Sequence, residues 1–189
     1  MQDTQNTLQL APEVEAFRAG KLLVYPTEAV MGIGCDPDNE VAVQALLNLK
    51  GRAKEKGVIL IADTYSRLLP YVDDKAIRQD RRTEIFSSWP GPVTWLLPKS
   101  AGAPDWITGG NPSIAVRVTA HPVVRALCEK VGMPLVSTSA NPSGKEPAIN
   151  LQQAREYFGD SVCYVAGEVG ERSRPSTIRD GQTGQIIRA

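Results

Sequence analysis

The sequence predicts an α/β fold: one domain built on a twisted, mixed β-sheet with flanking helices. Three observations predict it. Short apolar runs alternate with helix-periodic stretches along the whole chain, the pattern of a sheet buried beneath helices. The length, 189 residues, fits one domain. The last two apolar runs, near 176–179 and 185–188, leave no room for a crossover helix, so the sheet must be partly antiparallel.

Leu10, Val14 and Phe17 have helical spacing, and Gly20 can end that helix. Lys21 to Tyr25 is a short apolar strand stopped by Pro26. A turn-rich stretch follows from Pro26 to Pro37. Asn39 can cap a helix through Leu49, with Val43, Leu46 and Leu47 facing inward. Val58 to Ala62 reads as the next strand, then two helical segments near 64–71 and 74–87. Val93 to Leu97 is a strand ended by Pro98, and a Gly/Pro/Asn loop covers about 100–112. Ile114 to Val118 is a strand. A helix starts at Pro122, a favoured first helical position, and runs to Val131. Pro134 to Ser137 is a strand, and Thr138 to Pro147 a polar loop. A helix over 151–158 and a strand over 161–166 precede the two closing strands.

Composition narrows the function. Lys+Arg and Asp+Glu are 21 each, which excludes a protein that coats polyanions by bulk charge. The cations nevertheless cluster in loops, whereas Asp73, Asp74, Glu84, Glu129 and Glu156 fall on predicted helices. One histidine, His121, rules out a multi-histidine metal site and reads as a helix starter. Cys35, Cys128 and Cys163 are far apart and form no C-x-x-C, which fits buried thiols in a reducing cytosol. No apolar run reaches the ~18 residues of a membrane span, and the polar start is no signal peptide. A cytoplasmic protein is expected. Trp89, Trp95 and Trp106 lack the spacing of a base-stacking platform and are expected to pack in the core or loops. There is no P-loop, no complete dinucleotide fingerprint and no G-x-S-x-G elbow.

Candidate site residues lie in polar loops beside apolar strands, where α/β sheets bind ligands. Thr27 offers a hydroxyl at a strand end, and Gly32 and Gly34 permit close backbone approach. Lys50, Arg52, Lys54 and Lys56 can clamp phosphates or simply solvate a helix C-terminus. Ser137, Thr138, Ser139 and Asn141 offer more polar groups than one turn needs for itself. Arg117 sits inside an apolar strand, so it pairs with a buried acid or opens onto an anionic-ligand cavity. Arg172, Arg174, Ser176, Thr177, Arg179 and Arg188 form a solvated basic tail or, with Gly167 and Gly170 before it, a lid over residues 172–179.

Together these segments resemble the YrdC/TsaC family of threonylcarbamoyl-AMP synthases. The resemblance covers about residues 7–189, leaving 1–6 as a short polar N-terminal segment. It rests on Pro26-Thr27-Glu28 with Gly32-x-Gly34-Cys35, on the K-x-R…S-x-N tetrad Lys50, Arg52, Ser139 and Asn141, and on Trp89 to Thr94. Val116-Arg117-Val118 with His121-Pro122, and Pro175 to Asp180, also match. The chain departs from the family at Ala53, where many members have Pro, and at Met31, where many have an aromatic. The length is that of the short, single-domain type.

The resemblance implies a concave, positively charged cavity and the reaction of L-threonine, bicarbonate or CO2, and ATP to threonylcarbamoyl-AMP and pyrophosphate. This is the first step of N6-threonylcarbamoyladenosine formation in tRNA, and a tRNA threonylcarbamoyl transferase complex takes the product. Lys50, Arg52, Ser139 and Asn141 are then the catalytic, triphosphate-holding group, with Arg188 helping on ATP. Thr27, Arg117, Ser137 and Ser176 hold threonine, Arg117 facing its carboxylate. Mg²⁺ is expected on the ATP phosphates, with no protein metal site. The alternative is an RNA-binding or ribosome-maturation factor without ATP turnover, and weak tRNA binding is compatible with either reading.

Overall fold

The computed structural model describes residues 10–172 and 174–189. Nine strands form one sheet: β1 (Leu23–Pro26), β2 (Met31–Gly34), β3 (Ile59–Ala62), β4 (Val93–Pro98), β5 (Ser113–Val118), β6 (Leu135–Ser139), β7 (Cys163–Tyr164), β8 (Thr177–Asp180) and β9 (Ile186–Arg188). The helices are α1 (Pro12–Arg18), α2 (Glu40–Lys50), α3 (Arg82–Ser87), α4 (Asp105–Thr108), α5 (Pro122–Val131) and α6 (Leu151–Phe158). The strand order is β7-β1-β2-β6-β3-β5-β4-β8-β9. β1/β7, β3/β5 and β4/β8 pair in parallel and the other five neighbours pair antiparallel, so the sheet is mixed as expected.

Period-two alternation divides the core between the two faces. Val24, Met31, Ile33, Leu60, Val116 and Val136 face one side, where α2 lays Val43, Leu46 and Leu47. Leu23, Tyr25, Ile61 and Leu135 face the other, covered by Phe17 of α1 and by Val124 and Leu127 of α5. Asn39 caps α2 by accepting from the Ala42 amide, and Gly51 ends the helix at φ +64°. His121 starts α5: its Nδ1 accepts from the Val123 amide. Trp95 is fully buried, and the indoles of Trp89 and Trp106 donate to the Val93 and Pro37 carbonyls. Cys35 and Cys128 are buried free thiols, and desolvation pushes both up to about 12.

Three expectations are corrected. The turn-rich stretch from Pro26 to Pro37 contains β2, which pairs with both β1 and β6. The two helices expected near 64–71 and 74–87 are 3₁₀ turns at Tyr65–Leu68, Asp74–Ala76 and Gln79–Arg81, followed by the short α3. Asp73 and Asp74 therefore lie in turns. The loop at 100–112 holds the single turn α4.

Candidate functional site

The ends of β1, β2, β6 and β8 enclose a cavity of about 310 Å³ together with β5 and β9. Thr27, Arg52, Arg117, Ser137, Ser139, Ser176 and Arg188 all line it. Seven of the nine residues expected in the site are thus brought together from six separate stretches of chain. A second recess of about 320 Å³ shares Arg52, Ile59 and Arg188 with the first and adds Lys56, Thr108 and Ser113.

Lys50 and Asn141 are not on the wall. Lys50 is buried behind it, where its Nζ donates to the Ser139 carbonyl and, at 2.8 Å, to the Asn141 carbonyl. Burial, and next the neighbouring Arg52, pull the Lys50 pKa down to about 8. The Asn141 amide donates to the Pro142 and Lys145 carbonyls, closing its own turn, while its Oδ1 is buried without a partner. Both residues shape the loop that presents Ser139.

Arg52 donates from Nε and Nη2 to the Gly57 carbonyl, at 3.2 and 3.0 Å. Burial and then Arg188 lower its pKa, as expected for cations gathered without counter-ions. Arg188 donates to the Ser176 carbonyl at 2.9 Å. The Ser176 hydroxyl lies 3.1 Å from that of Thr94, and the Thr27 hydroxyl donates to Val30 O at 2.7 Å. Ser137 and Ser139 share one face of β6.

Arg117 satisfies both alternatives the sequence left open. Its Nη1 donates to Glu28 Oε2 at 2.6 Å and to Gly91 O at 3.3 Å, and the side chain lines the cavity. The acid is Glu28, which stands in the Pro26-Thr27-Glu28 motif but not among the expected site residues. Its Oε1 accepts from the Thr119 hydroxyl and, at 3.1 Å each, from the Ala120 and His121 amides at the start of α5. Burial pushes the Glu28 carboxyl up, but Arg117 and Thr119 outweigh it and hold the pKa below its ordinary 4.5. The available signal was a carboxylate just past a buried strand, in a chain where another buried strand carries an arginine.

The expected lid divides. Arg172 and Arg174 line the cavity, and the Gly170 and Arg172 amides donate to Thr27 O and Glu28 O. Ser173 lies outside the described residues. Thr177 and Arg179 belong to the sheet instead. Arg179 leaves the site altogether: it pairs with Glu84, donates to Gly184 O and lies 4.7 Å over the Trp95 ring. Met31 is a core residue with no exposure, so the departure there leaves the cavity wall untouched. Among the described residues no cluster of three or more His, Cys, Asp or Glu could hold a metal ion, and no helix is long and apolar enough to cross a membrane.

The geometry can align two anionic ligands. The wall carries hydroxyls, one arginine, Arg117, already paired with a carboxylate, and two, Arg52 and Arg188, with no carboxylate partner among the described residues.

The family model Sua5_yciO_yrdC, described as "Telomere recombination", matches residues 15–189. A threonylcarbamoyl-AMP synthase of Pseudoalteromonas atlantica is 57% identical over 172 residues, 91% of this chain and 92% of its own. One of Yersinia enterocolitica is 50% identical over 188 residues, covering 100% of this chain and 99% of its own. Among solved structures, P. abyssi Sua5 complexed with L-threonine is similar with a TM-score of 0.82 and 32% identity, over 88% of this chain and 49% of that one. The chain thus spans about half the length of that protein. E. coli YciO is similar at a TM-score of 0.77 and 25% identity, over 93% of this chain and 85% of its own.

Proposed function

This chain belongs to the Sua5/YciO/YrdC family, and on that premise we propose that it is a threonylcarbamoyl-AMP synthase. It joins L-threonine, bicarbonate or CO2, and ATP into threonylcarbamoyl-AMP and releases pyrophosphate. The observation that carries this reading is the convergence in one cavity of Arg117, Thr27, Ser137 and Ser176, expected on threonine, with Arg52, Ser139 and Arg188, expected on the phosphates. Threonine lies against Thr27, Ser137 and Ser176, its carboxylate on the free edge of Arg117. The ATP phosphates lie along Arg52, Ser139 and Arg188. The second recess gives the nucleoside room beyond the shared arginines.

The threonine amine adds to CO2 and loses a proton, giving a carbamate. A carbamate oxygen then attacks the α-phosphorus; that O–P bond forms as the bond to the β-phosphate oxygen breaks, and pyrophosphate leaves with the electron pair. No enzyme nucleophile is required. The protein's contribution is alignment and neutralisation of the leaving group. One well-placed donor is worth about 10²–10³ in turnover. Lys50 and Asn141 act by holding Ser139 in place and, through Lys50, by adding positive charge behind the phosphates. The carboxylate on the wall, Glu28, is engaged by four donors, so a Mg²⁺ ion would be carried by the ATP phosphates, neutralising their charge, rather than by a protein cage.

The product, a reactive mixed anhydride, passes to a tRNA threonylcarbamoyl transferase complex in the cytoplasm. The free thiols of Cys35 and Cys128 support a reducing compartment. The RNA-binding alternative has less support, because the cations converge on a recess of small-molecule size.

The test is pyrophosphate release from ATP with bicarbonate and each amino acid in turn. Release that requires both threonine and bicarbonate is expected. Threonine-independent release, or none, would sink the proposal.

A further inference from the structure

We propose that Glu28 is a positioning residue that keeps polyphosphate off Arg117 and reserves that arginine for the threonine carboxylate. The inference deepens the reading above and rests on it.

Among the described residues that line the cavity, Glu28 is the one carboxylate, set among Arg52, Arg117, Arg172, Arg174 and Arg188. Its Oε1 takes three donors and its Oε2 takes Arg117 Nη1. A carboxylate offers about four acceptor sites, and four donors fix this one in place. Its work is done through Arg117.

Two consequences follow. The first is geometric. Glu28 Oε2 and Gly91 O share Nη1 of Arg117, and both arginine and glutamate are largely buried. The guanidinium is clamped along one edge, so a carboxylate entering the cavity meets a donor edge of fixed orientation.

The second is electrostatic. Arg117 and Glu28 sum to zero charge, a match for an amino acid that is neutral overall and presents one carboxylate. Arg52 and Arg188 have carbonyl partners, Gly57 O and Ser176 O, and keep their full charge. A polyphosphate therefore falls to these two arginines. Without the Glu28 charge, Arg117 would be a bare buried cation, and polyphosphate would compete with threonine for it.

The experiment is equilibrium binding of inorganic tripolyphosphate and of threonine to the full chain, with steady-state KM values alongside. In the wild type, tripolyphosphate is expected to displace a non-hydrolysable ATP analogue and leave threonine binding unchanged. In Glu28→Gln, which keeps an acceptor for the α5 amides and removes the charge, tripolyphosphate is expected to displace threonine as well. The threonine KM should rise about tenfold or more while the ATP KM stays within about threefold.

Tripolyphosphate that displaces threonine from the wild type would overturn the proposal, and that measurement needs no variant to fold. So would a Glu28→Gln protein with unchanged threonine KM and unchanged competition. Because binding is read without turnover, failure of pyrophosphate release would count against the synthase reading alone.

Discussion

The Nζ of Lys50 lies 2.8 Å from the carbonyl oxygen of Asn141, across 91 residues of sequence. This ammonium, at the end of α2, ties down the loop that follows β6. It also donates to Ser139 O, so one buried side chain serves two carbonyls. Lys50→Met keeps the apolar stem and removes both donations. Stability should fall by about 1–3 kcal/mol, the cost of leaving a buried acceptor unpaired, as read by urea unfolding. Turnover should fall at least about tenfold with it. A variant as stable as the parent would show that the loop stands without this tie.

The Glu28 carboxyl predicts an acid limb. Its pKa is held below the ordinary 4.5 because Arg117 and Thr119 outweigh the effect of burial. A carboxylate depressed in the folded state contributes stability that is present above the unfolded value. That contribution is lost as pH falls through the folded pKa. Threonine affinity and thermal stability should therefore hold at pH 5 and decline together below about pH 4.5. In Glu28→Gln the coincident decline should disappear from the threonine titration. An identical acid limb in both proteins would assign it to other carboxylates.

Gly34 is a packing requirement of the sheet. A Cβ there would lie 1.5 Å from Val136 O and 2.8 Å from the Tyr25 hydroxyl. Tyr25 itself donates to that carbonyl at 2.9 Å. Gly34→Ala must push β2 from β6, and with it the Ser139 register opposite Gly32. A loss of about 3 kcal/mol or more is expected by thermal or chemical unfolding. A loss below about 1 kcal/mol would contradict the spacing.

Arg179 and Arg188 separate structure from substrate. Arg188→Ala should raise the ATP KM about tenfold and leave the melting temperature within about 1 °C. Arg179→Ala removes the Glu84 pair and the contact over Trp95. It should cost about 1 kcal/mol of stability and leave both substrate KM values within about threefold. Equal effects of the two variants on the ATP KM would erase the distinction.

Much of the fold was legible where periodicity and punctuation agree. Asn39 before an apolar helical stripe, and Pro122 opening another, mark helix starts that the structure reproduces. β2 was not legible, because Met31-Gly32-Ile33-Gly34 lacks side chains on one face and reads as a turn. The glycines are there so that Tyr25 and the β6 backbone can press close. The 64–87 stretch carries helical spacing, but Pro70 and Asp73 break it into short turns.

Within the site, the loops and the lone strand arginine stood out by chemistry. Their final geometry did not. Whether Lys50 faces ligand or backbone depends on a loop 89 residues away. The partner of Arg117 sits just as far off, at Glu28. Arg179 sits in a basic stretch with Arg172 and Arg174, but strand alternation and Glu84 turn it away.

The strand order has a kinetic consequence. Leu23 pairs with Cys163, Gly32 with Ser139 and Val93 with Thr177, so the cavity wall closes only through contacts between distant parts of the chain. Loop-closure entropy makes such pairings slow to form. The α2 and α5 segments can consolidate locally, but Arg52, Ser139 and Arg188 meet only when both flanks of the sheet have joined. During refolding, ligand binding should therefore return with the slowest phase, after most of the helical signal.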